Sequence, residues 1–370
     1  MLSHLECAKC GARYPIELRN VCDCGRSLLA RYKMQHARKP DARLPGMWRY
    51  ESLLPDRIPV TLGEGWTPLL EAPSLARELG VKRVWIKDEA ANPTGSFKAR
   101  GMAAAVTMAK ALGATDLCVP SAGNAGSACA AYAARAGLRA TVYLPKDAPD
   151  ANVREVRAAG ARLVRVAGTI ADAAARMRHD MKRRPMYDVS TLKEPYRVEG
   201  KKTMGFEIAE QLGWRLPTAI LYPAGGGTGV IGLWKAWQEM HELGWVRPPF
   251  PRMIAVQSNG CAPLVWAWRA EAEESEPWKN PRTIAAGLCV PKAFADWLIL
   301  KILRESRGDA VAVTEASIRQ SMRTLPAKTG VLFCPEGAAC WAAARRLKWR
   351  PDDEVVVFNT GTGLKYLDLL

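Results

Sequence analysis

Short apolar strands alternate with helix-forming segments along most of the chain, and this alternation limits the possible fold more than any other feature. Residues 117–120, 140–144 and 162–166 are strand-like, and a helix-forming segment follows each of them. A second alternating block begins with the strand-like segments 219–222 and 253–256. Consecutive βα units build parallel sheets whose faces are covered by helices, so the sequence predicts an α/β fold.

The length of the chain predicts more than one domain. Its 370 residues exceed the size at which a single hydrophobic core usually stops growing. We expect two α/β lobes with mostly parallel sheets covered by helices: a small lobe at 86–187 and a large lobe built from 36–85 and 188–370. We expect a separate cysteine-rich module at 1–35 and a proline-rich connection with little periodicity at 36–84.

A single lysine stands at the start of an expected helix. Lys98 follows a turn made by residues 92–95 and precedes the alanine-rich run 102–105. Free N–H groups and the helix dipole disfavour a positive charge near a first turn, which favours the neutral amine. A neutral lysine amine can form a Schiff base with an aldehyde cofactor. The alternative is an ordinary surface lysine at the beginning of a helix.

A glycine-rich segment joins an apolar strand to a helix. It consists of Gly225, Gly226, Gly227, Thr228 and Gly229. Backbone N–H groups in this context can hold a phosphate, assisted by the helix dipole. Gly227, Gly229 and Gly232 also match the GxGxxG pattern of dinucleotide-binding folds. The acidic residues downstream fall inside the helix instead of at the end of a second strand, so we favour the phosphate of a small cofactor.

Four of the ten cysteines are close together at the start of the chain. They are Cys7, Cys10, Cys22 and Cys24. In a cytoplasmic protein, cysteines favour thiols and metal sites over disulfides. Two thiolate pairs would supply the four tetrahedral ligands of a structural zinc, so we expect these residues to be metal ligands. Because the second pair has one intervening residue instead of two, a ribbon that folds without metal is the alternative.

The charge of the chain leaves two kinds of partner open. The formal net charge is +16, which suits capture of an anionic small substrate or binding of nucleic acid. Basic residues are spread along the chain, so we do not expect a nucleic-acid partner. No apolar run approaches the roughly 20 residues of a membrane span. With no basic segment and apolar core at the N-terminus, we expect a cytoplasmic protein without a membrane partner.

Four motifs occur in an order that resembles the pyridoxal-phosphate enzymes of the tryptophan-synthase-β fold type. They are 92–101 around Lys98, 121–126, 225–229 and 360–365. The cysteine pairs and the segment 194–203 resemble the threonine synthase branch of that family, and the match spans nearly the whole chain. The resemblance implies a pyridoxal 5'-phosphate cofactor in the cleft between two lobes, and a homodimer.

The resemblance also implies roles for residues at the cofactor. Lys98 would hold the cofactor as a Schiff base and then move protons at the substrate carbons. Asn124 would hydrogen-bond the ring hydroxyl, the segment 225–229 would hold the phosphate, and Thr360 would contact the pyridine nitrogen.

The implied substrate is a phosphorylated amino acid. Thr94 and Ser121 would bind its carboxylate through loop amides and hydroxyls. Arg197 would bind its phosphate, since a guanidinium matches phosphate geometry bidentately; the alternative for Arg197 is an exposed arginine. The implied reaction converts O-phospho-L-homoserine and water to L-threonine and phosphate, by γ-elimination followed by addition at Cβ.

Two positions depart from the threonine synthase pattern. Ala99 stands where many members have aspartate, and Ala122 stands where many carry a hydroxyl. These departures leave open a threonine/serine dehydratase-like or cysteate-synthase-like enzyme that acts on another amino acid. A basic zinc-ribbon protein that binds nucleic acid is the alternative outside enzymes.

Overall fold

The computed structural model describes residues 1–56, 58–121 and 123–370. These residues form thirteen β-strands and eleven α-helices. The strands are β1 (Leu2–Cys7), β2 (Arg13–Tyr14), β3 (Leu28–Tyr32), β4 (Leu69–Glu71), β5 (Arg83–Asp88), β6 (Asp116–Pro120), β7 (Arg139–Pro145), β8 (Arg162–Val166), β9 (Tyr187–Asp188), β10 (Ala219–Pro223), β11 (Arg252–Ser258), β12 (Asp309–Val313) and β13 (Glu354–Asn359). The helices are α1 (Pro73–Leu79), α2 (Lys98–Ala111), α3 (Asn124–Ala136), α4 (Asp150–Ala158), α5 (Ile170–Met181), α6 (Tyr196–Gln211), α7 (Thr228–Glu242), α8 (Pro263–Arg269), α9 (Asp296–Glu305), α10 (Glu315–Thr329) and α11 (Pro335–Ala344). Within the described ranges, no helix combines the length and the apolar character that crossing a bilayer requires.

The chain divides into two compact units. The first consists of Met1–Trp66, Asn92–Thr94 and Lys98–Thr203, and the second of Thr67–Ala91, Gly95–Phe97 and Met204–Leu370.

This division differs from the lobe boundaries that we expected from the sequence. Residues 36–66 and 188–203 fall in the first unit, together with the cysteine module at 1–35. The proline-rich connection is also more structured than expected, because Gly46–Leu53 forms a 3-10 helix. Met47 and Val60 pack into the core of the first unit, and this burial explains why the segment belongs there.

The first unit contains two sheets. β2, β1 and β3 form a small antiparallel sheet in that order, and β8, β7, β6 and β9 form a four-stranded parallel sheet. Successive residues of β6 point to opposite faces of the parallel sheet, as strand geometry requires. Leu117 and Val119 pack with residues of α2 and α3, whereas Cys118 packs with α5. Helices therefore cover both faces, as the βα alternation predicts.

The second unit is built on a six-stranded sheet in the order β12-β11-β10-β13-β5-β4. All neighbouring pairs are parallel except β4 and β5, which are antiparallel. In parallel strands the carboxyl ends meet at one edge of the sheet, where ligands of open α/β folds bind. The glycine segment follows β10 at this edge, and Thr360 follows β13. The α/β class with mostly parallel sheets, expected from the sequence, is confirmed.

Candidate active site

Helix α2 begins at Lys98, as the sequence predicts, and the side chain is half-buried. The turn before it contains Thr94 with φ 60° and ψ 15°. A β-branched residue rarely adopts this left-handed conformation, which costs on the order of 1–3 kcal/mol. The strain lies four residues before Lys98, where the chain turns into the helix.

Two glycines allow α6 to approach α2 closely, one turn after Lys98. A Cβ atom on Gly101 would lie 2.9 Å from Cε of Lys201 and 3.0 Å from the carbonyl oxygen of Arg197. A Cβ atom on Gly200 would lie 1.9 Å from the carbonyl oxygen of Arg100. Neither position has room for a side chain, so the close packing of the two helices determines where Arg197 lies relative to α2.

Arg197 is buried, which contradicts the alternative of an exposed arginine. The residue is only 1% exposed, and its Nη1 donates to the carbonyl oxygen of Val189 at 2.8 Å. Its backbone N–H donates to Oε2 of Glu194 at 2.7 Å. Among the residues that the structure describes, Nε has no hydrogen-bond partner. Burial lowers the pKa of Arg197 and raises the pKa of Glu194 to about 7. A buried guanidinium with an unused donor is suited to an anionic ligand.

The loop before α3 is held together by Ser121. Its Oγ accepts hydrogen bonds from the N–H groups of Gly123 at 3.0 Å and Gly126 at 2.9 Å, and it donates to the Gly123 carbonyl oxygen at 3.0 Å. Asn124 is the first residue of α3, and its Oδ1 accepts from Nδ2 of Asn152 at 3.0 Å. The Ser121 hydroxyl thus shapes the loop that presents Asn124. Ala122 lies outside the described residues.

In the second unit, the glycine segment leads from β10 into α7, and three of its glycines have no space for a side chain. A Cβ atom on Gly225 would lie 2.1 Å from the Gly287 carbonyl oxygen, and one on Gly229 would lie 2.1 Å from the Tyr222 hydroxyl oxygen. Gly227 is the N-cap of α7, with φ 76°, and supplies no side-chain capping hydrogen bond. Its Cβ would lie 1.9 Å from Cδ1 of Ile299. Gly226 is half-buried, and Thr228, which is buried, begins the helix.

This glycine segment fits the phosphate of pyridoxal phosphate. The N-cap has no side chain to occupy the N–H groups of the first turn, and the 15 residues of α7 add their dipole. Backbone N–H groups of a glycine-rich turn are a donor set that suits a phosphate group.

Thr360 is held in place by residues that no local sequence motif marks. Its Oγ1 lies 3.7 Å from Sγ of Cys334, and that sulfur accepts from the N–H of Gly337 at 3.4 Å. Burial raises the pKa of the Cys334 thiol, so the sulfur keeps its proton and can donate it to Thr360. Asn359 accepts from the Cys334 N–H at 3.1 Å and donates to Oδ1 of Asp88 at 2.9 Å.

The segment before Lys98 contacts the Thr360 region within the same unit. The Phe97 N–H donates to the Thr360 carbonyl oxygen at 3.0 Å, and Ser96 forms an isolated bridge with Gly361. A Cβ atom on Gly95, whose φ is 62°, would lie 2.7 Å from Cγ2 of Thr362. The chain therefore reaches Lys98 directly from contacts with the segment that carries Thr360.

The four N-terminal cysteines have the spacing of a metal site. Their sulfur atoms all lie within 4.8 Å of one another, and the Cys7–Cys24 and Cys10–Cys22 sulfur pairs are each 3.6 Å apart. Four sulfurs bound tetrahedrally to zinc at about 2.3 Å would be about 3.8 Å apart. The backbone N–H of Lys9 also points to the Cys7 sulfur, at 3.4 Å. The thiol set therefore fits a structural zinc.

Comparisons with known proteins identify the family. The family profile described as "Pyridoxal-phosphate dependent enzyme" matches residues 60–361. Threonine synthase of Methanocaldococcus jannaschii is 34% identical over 97% of this chain and 92% of its own length. Threonine synthase of Methanosarcina acetivorans is 34% identical over 98% of this chain and 92% of its own length.

Solved structures of similar fold include enzymes with other activities. Maize serine racemase has a TM-score of 0.70 and 22% identity, covering 80% of this chain and 88% of that protein. The processed form of threonine deaminase isoform 2 from Solanum lycopersicum has a TM-score of 0.69 and 22% identity, covering 82% and 86%. The family match and the threonine synthase relatives confirm the class expected from the sequence, a pyridoxal-phosphate-dependent lyase. The chain belongs to the family of pyridoxal-phosphate-dependent enzymes, in the branch that contains these threonine synthases.

Proposed function

We propose that the protein is a threonine synthase that converts O-phospho-L-homoserine and water to L-threonine and phosphate. The observation that carries this proposal is the extent of the similarity to the two archaeal threonine synthases. The similarity covers 97% and 98% of the chain, so the matched region must extend into the cysteine module at 1–35. The likeness to the racemase and deaminase structures covers 80% and 82% of the chain.

Lys98 has the central chemical role in this proposal. Pyridoxal phosphate, when bound, supplies a ring that draws electrons from the substrate carbons. Lys98 Nζ holds the cofactor and later acts as acid and base, taking protons from Cα and Cβ of the substrate. The Cγ–O bond to the phosphate group then breaks. Water adds its oxygen to Cβ and the carbon skeleton regains its protons, so the products are threonine and phosphate.

We further propose that the other residues named from the sequence bind the cofactor and the substrate. Residues 225–229 would hold the cofactor phosphate, Asn124 the ring hydroxyl and Thr360 the ring nitrogen. Thr360 can donate its own proton there, because the Cys334 thiol can donate to its oxygen.

The substrate would be bound by residues of the first unit. Arg197 would bind the substrate phosphate, and its burial supports this role, because a desolvated guanidinium interacts more strongly with a dianion than an exposed one does. Thr94 and the loop held together by Ser121 would bind the carboxylate.

The homodimer expected from the sequence stays a prediction.

The experiment that tests the proposal compares substrates on the cofactor-loaded protein. We expect O-phospho-L-homoserine to yield phosphate and L-threonine in equal amounts, and the Lys98→Ala variant to yield neither. A variant with an exposed arginine replaced, Arg323→Ala, is the control for the effect of mutation itself. Ammonia and a keto acid released from L-threonine or L-serine, with no phosphate released from O-phospho-L-homoserine, would contradict the proposal and identify a dehydratase.

We also propose that Cys7, Cys10, Cys22 and Cys24 bind one structural zinc ion. The support is the mutual distance of the four sulfurs, which matches tetrahedral coordination. Elemental analysis of the purified protein should find one zinc per chain. Cys22→Ser should lose the zinc, while Cys118→Ser, which changes a cysteine far along the chain, should keep it. Full zinc content in Cys22→Ser would contradict the assignment.

A further inference from the structure

Two cavities of the second unit lie beside the edge strand β12. Their volumes are about 700 and about 660 Å³, and both are lined by Arg269 and Arg346. The second cavity is lined by Asn259, Ala262, Trp266, Arg269, Trp278, Ala312, Thr314, Ser317 and Arg346. Its volume lies within the range of small-molecule sites, about 300–1,000 Å³.

The second cavity lies at the carboxyl edge of the sheet. Asn259 directly follows β11 and Thr314 directly follows β12, and these two strands are parallel neighbours. Crevices at this edge are where α/β sheets bind their ligands. None of the residues proposed above for pyridoxal phosphate or for the amino-acid substrate lines this cavity.

The lining of this second cavity is cationic. Across residues 1–56, 58–121 and 123–370, no carboxylate forms an ion pair with Arg269 or Arg346, and none lines the cavity. Two like charges facing one cavity repel each other, and an anion bound between them removes that repulsion. Arginine side chains bind phosphate groups bidentately, so a ligand with two phosphate groups would match the two guanidinium groups.

The N-terminus of α10 adds to this positive potential. Thr314, the N-cap, and Ser317 in the first turn both line the cavity. Glu315 is directed elsewhere, since its carboxylate accepts hydrogen bonds from the Ile284 N–H at 2.9 Å and from the Ser258 hydroxyl. The Thr314 hydroxyl already accepts from the Ser317 N–H at 3.1 Å, so this helix favours an anion at the cavity mainly through its dipole.

The lining of the cavity also includes an exposed aromatic side chain on α8, the helix that carries Arg269. Trp266 is 66% exposed, which is unusual for so large an apolar side chain. It packs edge-to-face against Trp278, with ring centroids 5.7 Å apart and an angle of 80° between the rings. Helix α8, which carries Trp266, is anchored by the N–H of Leu264, which donates to Oε1 of buried Gln257 at 2.9 Å. A fixed, exposed indole provides a stacking surface for a flat heteroaromatic ring.

A β-strand from another chain, paired with the edge strand β12, fits this region less well than a small anionic ligand. Edge strands pair with other chains through unused backbone groups. On β12, the Ala312 carbonyl oxygen already accepts from Nη1 of Arg346 at 2.6 Å. The Ala310 N–H donates to Oδ1 of Asp309 at 2.7 Å. These side chains occupy two of the backbone groups that a pairing strand would use, while the remaining N–H groups of Arg346 stay available to a ligand.

We propose that the second cavity binds a nucleoside diphosphate, with its base stacked on Trp266 and its phosphate groups on Arg269, Arg346 and the N-terminus of α10. The observations that support it are the two guanidinium groups, the exposed indole and the helix N-terminus around one cavity. The site does not depend on the identity of the amino-acid substrate.

Equilibrium binding of ADP to the cofactor-loaded protein tests the proposal. We expect saturable binding of one ADP per chain, and both Arg269→Ala and Trp266→Ala should weaken it by about tenfold or more. Both side chains are exposed, so these variants should fold. Arg323→Ala, which removes an exposed arginine of α10 that does not line the cavity, should change the affinity by less than about twofold.

Adenosine and inorganic pyrophosphate, tested separately, show whether both halves of the ligand contribute. Each should bind more weakly than ADP by about tenfold or more, because each lacks one of the two contacts. Pyrophosphate that binds as tightly as ADP would overturn the aromatic half of the site. Absence of saturable ADP binding, or equal weakening by Arg269→Ala and Arg323→Ala, would overturn the proposal as a whole.

Discussion

Thr94 keeps a left-handed backbone conformation next to the proposed catalytic lysine, although glycine would adopt it at lower cost. We predict that Thr94→Gly leaves the melting temperature unchanged or raises it, because the strain is removed. The same change should lower kcat/KM by about tenfold or more, because the hydroxyl proposed to bind the substrate carboxylate is lost. Thermal melts and steady-state kinetics measure the two effects.

Thr94→Ser is the matched control for this prediction, because it keeps the hydroxyl and removes only the methyl group. It should retain most of the activity. If Thr94→Ser loses as much activity as Thr94→Gly, the hydroxyl is not the group that matters.

Glu194 makes the free energy of unfolding depend on pH, and a mutation at this residue can isolate that dependence. Burial raises its pKa to about 7 from the ordinary value of 4.5. The folded state therefore holds a proton more tightly than the unfolded state, and this contribution to stability is lost as pH rises from about 4.5 through about 7. The free energy of unfolding should fall by up to about 3 kcal/mol over this window.

Glu194→Gln should remove this dependence, because an amide stays neutral at every pH. Its urea midpoint should match that of the wild type near pH 5 and exceed it near pH 8. Glu51→Gln, which changes an exposed carboxylate, should follow the wild type at both values. A constant difference between Glu194→Gln and the wild type across this range would mean that Glu194 stays ionised.

At the scale of single elements, the N-terminus of α7 provides a sharp test of the phosphate site. Gly227→Ala combines a positive φ of 76° with a Cβ placed 1.9 Å from Ile299. Gly113→Ala has a comparable φ of 83° and no atom within 4 Å of its Cβ. Both changes should cost about 1 kcal/mol of backbone strain. Only Gly227→Ala should also weaken pyridoxal phosphate binding, by about tenfold or more, since the segment must move.

A cofactor titration followed by absorbance separates these two effects. The melting temperature reports the backbone strain that the variants share. Equal affinities for pyridoxal phosphate in Gly227→Ala and Gly113→Ala would show that the glycine segment does not bind the phosphate.

Sequence patterns located most helices and strands because apolar residues recur at regular intervals on the buried faces of these elements. The strand-like segment 162–166 coincides with β8, and the helix after Lys98 begins where the turn residues predict it. Helix α6 was missed, because its first half buries charged residues. Lys201 and Lys202 are both fully buried, and Lys202 pairs with Glu199 at 2.6 Å, so no apolar stripe marks a buried face. Such burial depends on partners distant in the chain, which a local pattern does not contain.

The same reason separates the predicted from the missed residues of the candidate site. Lys98 and the glycine segment were recognisable because their turns and helix starts are local features. The apolar neighbours of Cys334 indicate only a core residue, and its contact with Thr360 joins positions 26 residues apart. Asn359 likewise bonds to Asp88, which is distant in sequence.

For the whole molecule, the sequence predicts the order of the site residues along the chain but not how they divide between the two units. Lys98, Asn124 and Arg197 belong to the first unit, while residues 225–229 and Thr360 belong to the second. The boundary between the units falls inside α6, after Thr203. Neither composition nor periodicity changes at this point, so the sequence placed the boundary elsewhere.

Chemical trapping tests whether Lys98 carries the cofactor. Borohydride reduction of the cofactor-loaded protein fixes pyridoxal phosphate to the amine that holds it, and peptide mass spectrometry locates the label. We expect one label per chain, on Lys98, and no label in the Lys98→Ala variant. A label on another lysine, or no label in the wild type after incubation with pyridoxal phosphate, would contradict it.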